Sequence, residues 1–150
     1  MNTLDIEKYL SKLPVQNFGV YAADQLPHYI SPSTAIIVNT DPHNENGTHW
    51  VAFYLNRNGG LIEFFDSYGQ PPHLQFYQGL LRRNARRYLY NEHRLQSDNT
   101  LVCGHYCLVY LFCRTHYGMK MMDFVQLFDD SSTARNDALI RKLFTQMYIN

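Results

Sequence analysis

The stretch Thr48-His-Trp-Val-Ala-Phe-Tyr-Leu55, Asn56-Arg-Asn-Gly-Gly60, Leu61-Ile-Glu-Phe-Phe-Asp66 decides the fold. Aromatic and β-branched residues fill its two flanks while Asn and Gly crowd the middle, the pattern of two strands joined by a tight turn. A turn centred on Arg57 and Asn58 makes the numbers of facing residues sum to 115, which sets His49 opposite Asp66. The same pairing puts Val51, Phe53, Leu55, Ile62 and Phe64 on one shared face. A turn at Asn58-Gly59 raises the sum to 117 and sets Asp66 opposite Val51, one diagonal step from His49. Either register gathers an imidazole and a carboxylate at one end of a hairpin.

Working outward, Ala35-Ile-Ile-Val38 is a compact apolar run that fits a buried strand, and Phe18 to Ala23 fits a short one before the loop Asp24 to Pro32. Thr3 followed by Glu7, with Leu4, Ile6, Tyr9 and Leu10, predicts a short capped helix ended by Pro14. On the other side, His73 to Tyr90 reads as a helix with Leu74, Tyr77, Leu80 and Leu81 on one face. Arg94-Leu-Gln96 reads as a short strand before the polar loop Ser97 to Thr100. Cys103 to Tyr117 is strongly apolar at helical spacing, with Gly118 as its stop. Helices at about Met121–Phe128 and Thr133–Tyr148 complete an α+β chain, expected to form one domain over residues 1–150.

Composition excludes several classes. Hydrophobic residues make up 45% of the 150, with twelve Tyr and nine Phe, which fits a folded chain and not a disordered tail. Thirteen basic residues balance thirteen acidic ones, so net charge gives no push toward nucleic acid or membrane. No run approaches the roughly 20 apolar residues of a bilayer span, and the mixed-charge start MNTLDIEKYL is no secretory signal. Three cysteines without framework spacing point to a reducing compartment, cytosol or nucleus.

Nucleophilic catalysis by cysteine needs a thiolate, an imidazole beside it, a group that orients the imidazole, and donors for the oxyanion. Cys103 stands where a polar loop turns into a buried helix, and there free N–H groups and the helix dipole favour negative charge. Gly104 removes a side chain where a substrate carbonyl would approach. The Cys103 N–H and the Gln96 amide are the expected oxyanion donors, His49 the proton carrier and Asp66 its orienter. Cys107 and Cys113 lie inside the helix and read as small buried hydrophobes. A metal reading of Cys103, Cys107, His105 and His116 fails on ligand arithmetic, since one helix supplies only the i, i+4 cysteine pair. His28, His43, His73 and His93 receive no role, and Met119, Met121, Met122 and Phe124 read as packing.

The ordered set Ser31-Pro32, Ile37-Val-Asn-Thr40, Gly47-Thr-His-Trp-Val-Ala-Phe53, Phe64-Phe-Asp-Ser-Tyr-Gly69, Leu80-Leu-Arg-Arg83, Gln96 and Val102-Cys-Gly104 resembles the adenovirus protease (adenain) family of cysteine peptidases, distant relatives of the SUMO-specific proteases. The resemblance covers Phe18 to about Cys113 and implies a papain-like fold, a mixed sheet packed on a central helix that starts at the nucleophile. It assigns His49 as base, Asp66 as orienter, Gln96 as oxyanion donor and Cys103 as nucleophile, with Trp50 lining the cleft. Adenain carries glutamate at the place of Asp66, and aspartate there looks like the SUMO-protease branch. Adenain is also activated by a peptide tethered through a cysteine upstream of its nucleophile. Pro71 to Val102 contains no cysteine, so activity without a covalent peptide cofactor is expected, with non-covalent peptide activation left open. Adenain-like enzymes bind DNA as a cofactor, which makes Arg82, Arg83, Arg86 and Arg87 a candidate phosphate-binding patch, although zero net charge favours a solvated face.

The expected function is therefore an endopeptidase working through an acyl-enzyme. By resemblance it processes viral precursor proteins at small or glycine-containing sites, in host nucleus or cytosol or packaged in the virion. A protease of SUMO or ubiquitin-like modifiers keeps the fold and changes the substrate. A catalytically silent binding or capsid-associated module is the alternative of another class, weakened because all four chemical positions hold competent residues.

Overall fold

The protein is described from a computed structural model that covers residues 1–40, 49–98 and 100–150. Gly47 and Thr48 of the expected hairpin motif, together with His43 and Asn99, lie outside the described residues. Five strands form one mixed sheet in sequential order: β1 (Asn17–Ala22), β2 (Thr34–Asn39), β3 (Trp50–Leu55), β4 (Leu61–Phe65) and β5 (Arg87–Tyr90). β1 runs parallel to β2, β2 to β4 are antiparallel neighbours, and β5 runs parallel to β4. Among the described residues five α-helices surround it: α1 (Thr3–Leu10), α2 (Gln75–Asn84), α3 (Cys103–Tyr117), α4 (Met121–Val125) and α5 (Thr133–Phe144), the last continuing into a π turn, Thr145–Ile149.

β2 shows why the sheet is sandwiched. Its residues Thr34 to Val38 are all buried, and successive side chains serve opposite cores. Ala35 and Ile37 join Ala52, Tyr54 and Phe65 on the face covered by α1, α3, α4 and α5. Ile36 and Val38 join Val51, Phe53, Leu55, Ile62 and Phe64 on the face covered by α2 through Tyr77, Leu80 and Leu81. The fold is α+β, with α3 packed on the sheet and its N-terminus at Cys103, as the resemblance implied.

The hairpin takes the second of the two expected registers. Phe53 faces Phe64 and Leu55 faces Ile62, so facing numbers sum to 117. The turn residues explain the choice. The Asn56 side chain accepts from the N–H groups of Asn58 and Gly59, and Gly59 and Gly60 both take positive φ, +71° and +84°. The shared apolar face survives, because both registers keep the same parity.

Other expectations need correction. The N-cap of α1 is Asn2, not Thr3; its side chain accepts from the Asp5 N–H and Asp5 answers in a capping box. The helix expected to reach Tyr90 stops at Asn84, whose amide donates to Leu80 O and His28 O and accepts from Ile30 N–H. The aromatic run Arg87-Tyr-Leu-Tyr90 then pairs along the open edge of β4 instead of winding on. The four arginines consequently do not share a helix: Arg82 and Arg83 end α2, Arg86 lies between the two elements, Arg87 opens β5, and all four are exposed. Arg94-Leu-Gln96 forms no strand, because the Leu95 and Gln96 N–H groups converge on one acceptor, Ser67 O. α4 ends at Val125, short of Phe128.

A buried charge pair ties α3 to the sheet. Arg114 Nε lies 3.0 Å from both oxygens of Glu63, and Tyr110, one turn earlier, donates its hydroxyl to the same carboxylate. Glu63 is only 3% exposed, so losing its cation leaves a buried charge unpaired. Arg114→Met is expected to lower unfolding free energy by about 3 kcal/mol, read from the midpoint of a urea titration at neutral pH.

Candidate active site

Each side chain of the site is delivered by the end of an element. His49 directly precedes β3, Asp66 directly follows β4, and Cys103 opens α3. Asp66 stands diagonal to His49 in the observed register, yet Oδ1 lies 2.7 Å from His49 Nε2, both residues standing just beyond the ends of their strands. Oδ1 also accepts from the Tyr68 N–H at 2.9 Å. The Tyr68 ring stacks on the imidazole with centroids 4.6 Å apart, and the Arg94 guanidinium sits 4.9 Å over the Tyr68 ring.

The Asp66 turn is held by its own framework. Asn91, fully buried, accepts from Asp66 N–H at 3.0 Å and donates to Asp66 O at 2.7 Å. Gly69 N–H returns to Asp66 O at 2.7 Å, with Gly69 at φ +73°. A Cβ at Gly69 would stand 2.6 Å from the main-chain carbon of His93, so this close approach requires glycine.

The Cys103 end is equally constrained. Trp50 N–H points at Cys103 Sγ, 3.4 Å away, and the Cys107 thiol donates to Trp50 O at 3.4 Å. One residue of β3 therefore grips two cysteines a turn apart on α3. The N-cap of α3, Val102, supplies no side-chain acceptor, so no capping side chain competes for the first-turn N–H groups. A Cβ built on Gly104 would meet Ile6, Met1 and Trp50 side chains at 3.6 Å, ordinary van der Waals distance. Trp50 and Gly104 thus lie side by side.

Burial works against charge here, and specific partners overcome it. Desolvation lowers the His49 pKa, but the hydrogen bond and charge of Asp66, joined by Cys103, raise it from 6.5 to about 9. Desolvation likewise raises the Cys103 thiol, and His49 with the N–H groups of Trp50 and Gly104 brings it below its ordinary value. Nδ1 of His49 is buried and forms no hydrogen bond in normal geometry with any described residue, although Cys103 acts on the ring at close range. A looser contact of this kind is common in unliganded sites. The other two thiols are pushed the opposite way by burial, Cys113 up to about 11 and Cys107 well above the usual range.

Gln96 is fully buried and does not point freely toward Cys103. Its Oε1 accepts from Ser67 Oγ at 2.5 Å, and its Nε2 donates to Thr100 O and Oγ1 at 3.0 and 3.1 Å. His105 packs edge-on against Phe144, and His116 stacks on Phe112. A cavity of about 390 Å³ opens beside the imidazole on the α2 side, walled by Val51, Phe64, Pro71, Leu74 and Tyr77.

Sequence reasoning missed Asn91, Tyr68 and Ser67 as supports. Ser67 and Tyr68 sit next to Asp66 in the quoted motif, and that adjacency is the only signal they carry. Asn91 has no local signal, because its partner is 25 residues away.

With this geometry in view, comparison with known proteins assigns the chain. The Adenovirus endoprotease family model matches residues 18–147, and the chain belongs to that family. A protease of Bovine adenovirus 2 is 33% identical over 87 residues, covering 50% of this chain and 42% of that protein. A protease of Human adenovirus B serotype 3 is 31% identical over 114 residues, 66% of this chain and 54% of that protein. This chain therefore spans about half the length of the curated relatives it matches. Crystal structures of the ASFV protease superpose with TM-scores of 0.53 and 0.52 at 26% and 25% identity. They cover 77% of this chain and 43% and 42% of theirs. Among the described residues, no helix is long and apolar enough to cross a membrane.

Iodoacetamide at pH 7 is expected to modify Cys103 well ahead of Cys107 and Cys113, and His49→Ala to slow that reaction at least about tenfold by removing the partner that favours the thiolate. Peptide mass mapping of timed samples measures both.

Proposed function

We propose that the chain is a cysteine endopeptidase that cleaves peptide bonds through an acyl-enzyme. The observation that carries the reading is the 2.7 Å bond from Asp66 to His49 beside a thiol whose pKa His49 lowers, at the uncapped start of α3. In this mechanism Cys103 Sγ attacks the scissile carbonyl, and the C–N bond breaks as His49 Nδ1 gives its proton to the leaving amine. Water then attacks the thioester, His49 takes the water's proton, and the thiolate is released. Asp66 holds the ring with Nε2 toward itself, which leaves Nδ1 for the proton.

The oxyanion of each tetrahedral intermediate takes the Cys103 N–H and the Gln96 amide. Gln96 meets this role by giving up one of its two contacts with Thr100, and the Ser67 bond keeps its carbonyl end turned away from the substrate. The approach to Cys103 runs between Trp50 and the start of α3, and a narrow cleft there would exclude bulky side chains and favour substrates with small residues, glycine above all, next to the scissile bond. Family membership supports viral precursor proteins as substrates, in the nucleus or cytosol of the host or inside the virion. No covalent peptide cofactor is required in this reading, since Pro71 to Val102 lacks a cysteine to hold one. A peptide bound without a covalent tether remains a candidate activator. The exposed Arg82, Arg83, Arg86 and Arg87 keep DNA as a candidate partner rather than a requirement.

The decisive experiment labels the purified chain with a peptide vinyl sulfone and assays glycine-containing peptides alongside a diglycine-ended modifier fusion. Labelling of Cys103 that is lost in Cys103→Ala and weakened in His49→Ala, with cleavage of the peptides, upholds the proposal. Cleavage of the modifier fusion alone assigns the chain to the modifier-protease alternative. Slow, equal labelling of all three cysteines, indifferent to His49, defeats both and leaves a binding module.

The pH profile carries its own sign. Hydrolysis needs the Cys103 thiolate and a protonated His49, so activity should rise below the ordinary thiol range and fall as pH passes about 9. Asp66→Ala should move the alkaline limb downward, because it removes the partner that raises His49.

The protein itself has room for a methyl at position 104. Gly104→Ala is therefore expected to keep or raise the melting temperature, worth up to about 0.5–1 kcal/mol of helix propensity. The same change should cut kcat/KM at least about tenfold. Calorimetry and steady-state kinetics on one preparation test that opposition.

A further inference from the structure

The start of α5 converges on the segment that carries Gln96, from a part of the chain well after the nucleophile helix begins. Asp137, 3% exposed, accepts from the Tyr106 hydroxyl at 2.8 Å and from Ser97 N–H at 3.3 Å. Asn136, 1% exposed, donates to Leu95 O at 3.1 Å, and both its amide ends also hold the main chain of Asp129. Thr133 meets Ser97 through their hydroxyls at 2.9 Å. The residues on either side of Gln96 are thus clamped by contacts from three residues of one helix. From the opposite direction, Ser67 O takes the N–H groups of Leu95 and Gln96.

This pattern is more than packing. A buried carboxylate without an ion-pair partner among the described residues is expensive to keep, and a neutral apolar residue would fill the same space with less desolvation. What Asp137 does that an apolar residue cannot is accept simultaneously from a main-chain N–H one residue after Gln96 and from a hydroxyl on α3, one turn from Cys103. It therefore spans the two parts that must be registered against each other for an oxyanion to meet both donors.

We infer that Asp137, acting through Ser97 and Tyr106, is a positioning residue that sets the Gln96 amide relative to the N-terminus of α3. The inference rests on the proposed oxyanion role of Gln96. Asp137 touches neither substrate nor the reacting atoms; it governs the placement of a group that does.

The test separates oxyanion chemistry from everything else. Iodoacetamide alkylates Cys103 by displacement at a saturated carbon and forms no oxyanion, whereas amide hydrolysis does. Wild type, Asp137→Asn, Tyr106→Phe and Gln96→Ala are compared in the full chain for alkylation rate at Cys103 and for kcat and KM on one fluorogenic glycyl-glycyl peptide. The binding of the matching peptide aldehyde, whose thiohemiacetal oxygen occupies the same place, is measured in parallel. Asp137→Asn and Tyr106→Phe should lower kcat about ten- to a hundredfold and weaken the aldehyde by a similar factor. KM and alkylation should stay within about twofold, the loss reading on the transition state alone.

Unchanged kcat in both variants overturns the inference, and so does a parallel fall of kcat and alkylation, which marks a general structural loss. Tyr106→Phe removes only a hydroxyl and keeps the test open should Asp137→Asn fold poorly. Gln96→Ala shows which idea has failed. If it does not split kcat from alkylation, the oxyanion role of Gln96 falls, and the inference with it. If it splits them while the Asp137 and Tyr106 variants do not, only the inference falls.

Discussion

The main chain of Trp50 is the hinge between the two halves of the site. Its N–H reaches the Cys103 sulfur and its carbonyl takes the Cys107 thiol, so the first residue of β3 and the first turn of α3 are held at a fixed separation. His49, one residue upstream, has little freedom to be anywhere but beside Cys103. Further along α3, Tyr110 and Arg114 grip Glu63 of β4. The helix is thereby braced to the sheet at two levels, and the apolar layer between them does the rest of the fixing through contacts such as the parallel stack of Phe65 on Tyr110.

Burial gives this arrangement its chemical character. In water, a free thiol has a higher pKa than a free imidazole, so at neutral pH the proton stays on sulfur. Here desolvation opposes both charges, and the fold answers with partners of opposite sign at short range, Asp66 first and then Cys103 for His49, and His49 for Cys103. The same burial silences Cys107 and Cys113, which have no imidazole to compensate them. Three cysteines on one helix thus divide into one thiol whose pKa is lowered and two whose pKa values are raised, by environment alone.

The sequence was most legible where pattern and period coincide. β2 announced itself as an apolar run, and α3 as an apolar helix closed by Gly118, which adopts φ +66° as a left-handed stop should. The hairpin was legible as an object but ambiguous by one step in register, since the decision lay in how the Asn56 side chain wraps the turn. The edge strand β5 was hidden inside an apparent helix, because Tyr88 and Leu89 satisfy either period over four residues and only the vacant edge of β4 selects the strand. His49, Asp66, Gln96 and Cys103 were visible as residue types at suggestive places. Asn91, Asn136 and Asp137 were not, as polar residues whose partners lie far along the chain leave no periodic trace.

Between Gly69 and Asn91 the chain leaves the site, builds α2 and β5, and comes back to within one hydrogen bond of where it departed. The two ends of that excursion are laced together at Asp66 and Ser67, so the path between them is a closed loop with a narrow neck. The entropy of closing a loop grows only with the logarithm of its length, about 0.6 kcal/mol for each doubling. Related chains can therefore lengthen, shorten or redecorate this excursion at small cost, adding surfaces for new partners while the residues at the neck stay where they are.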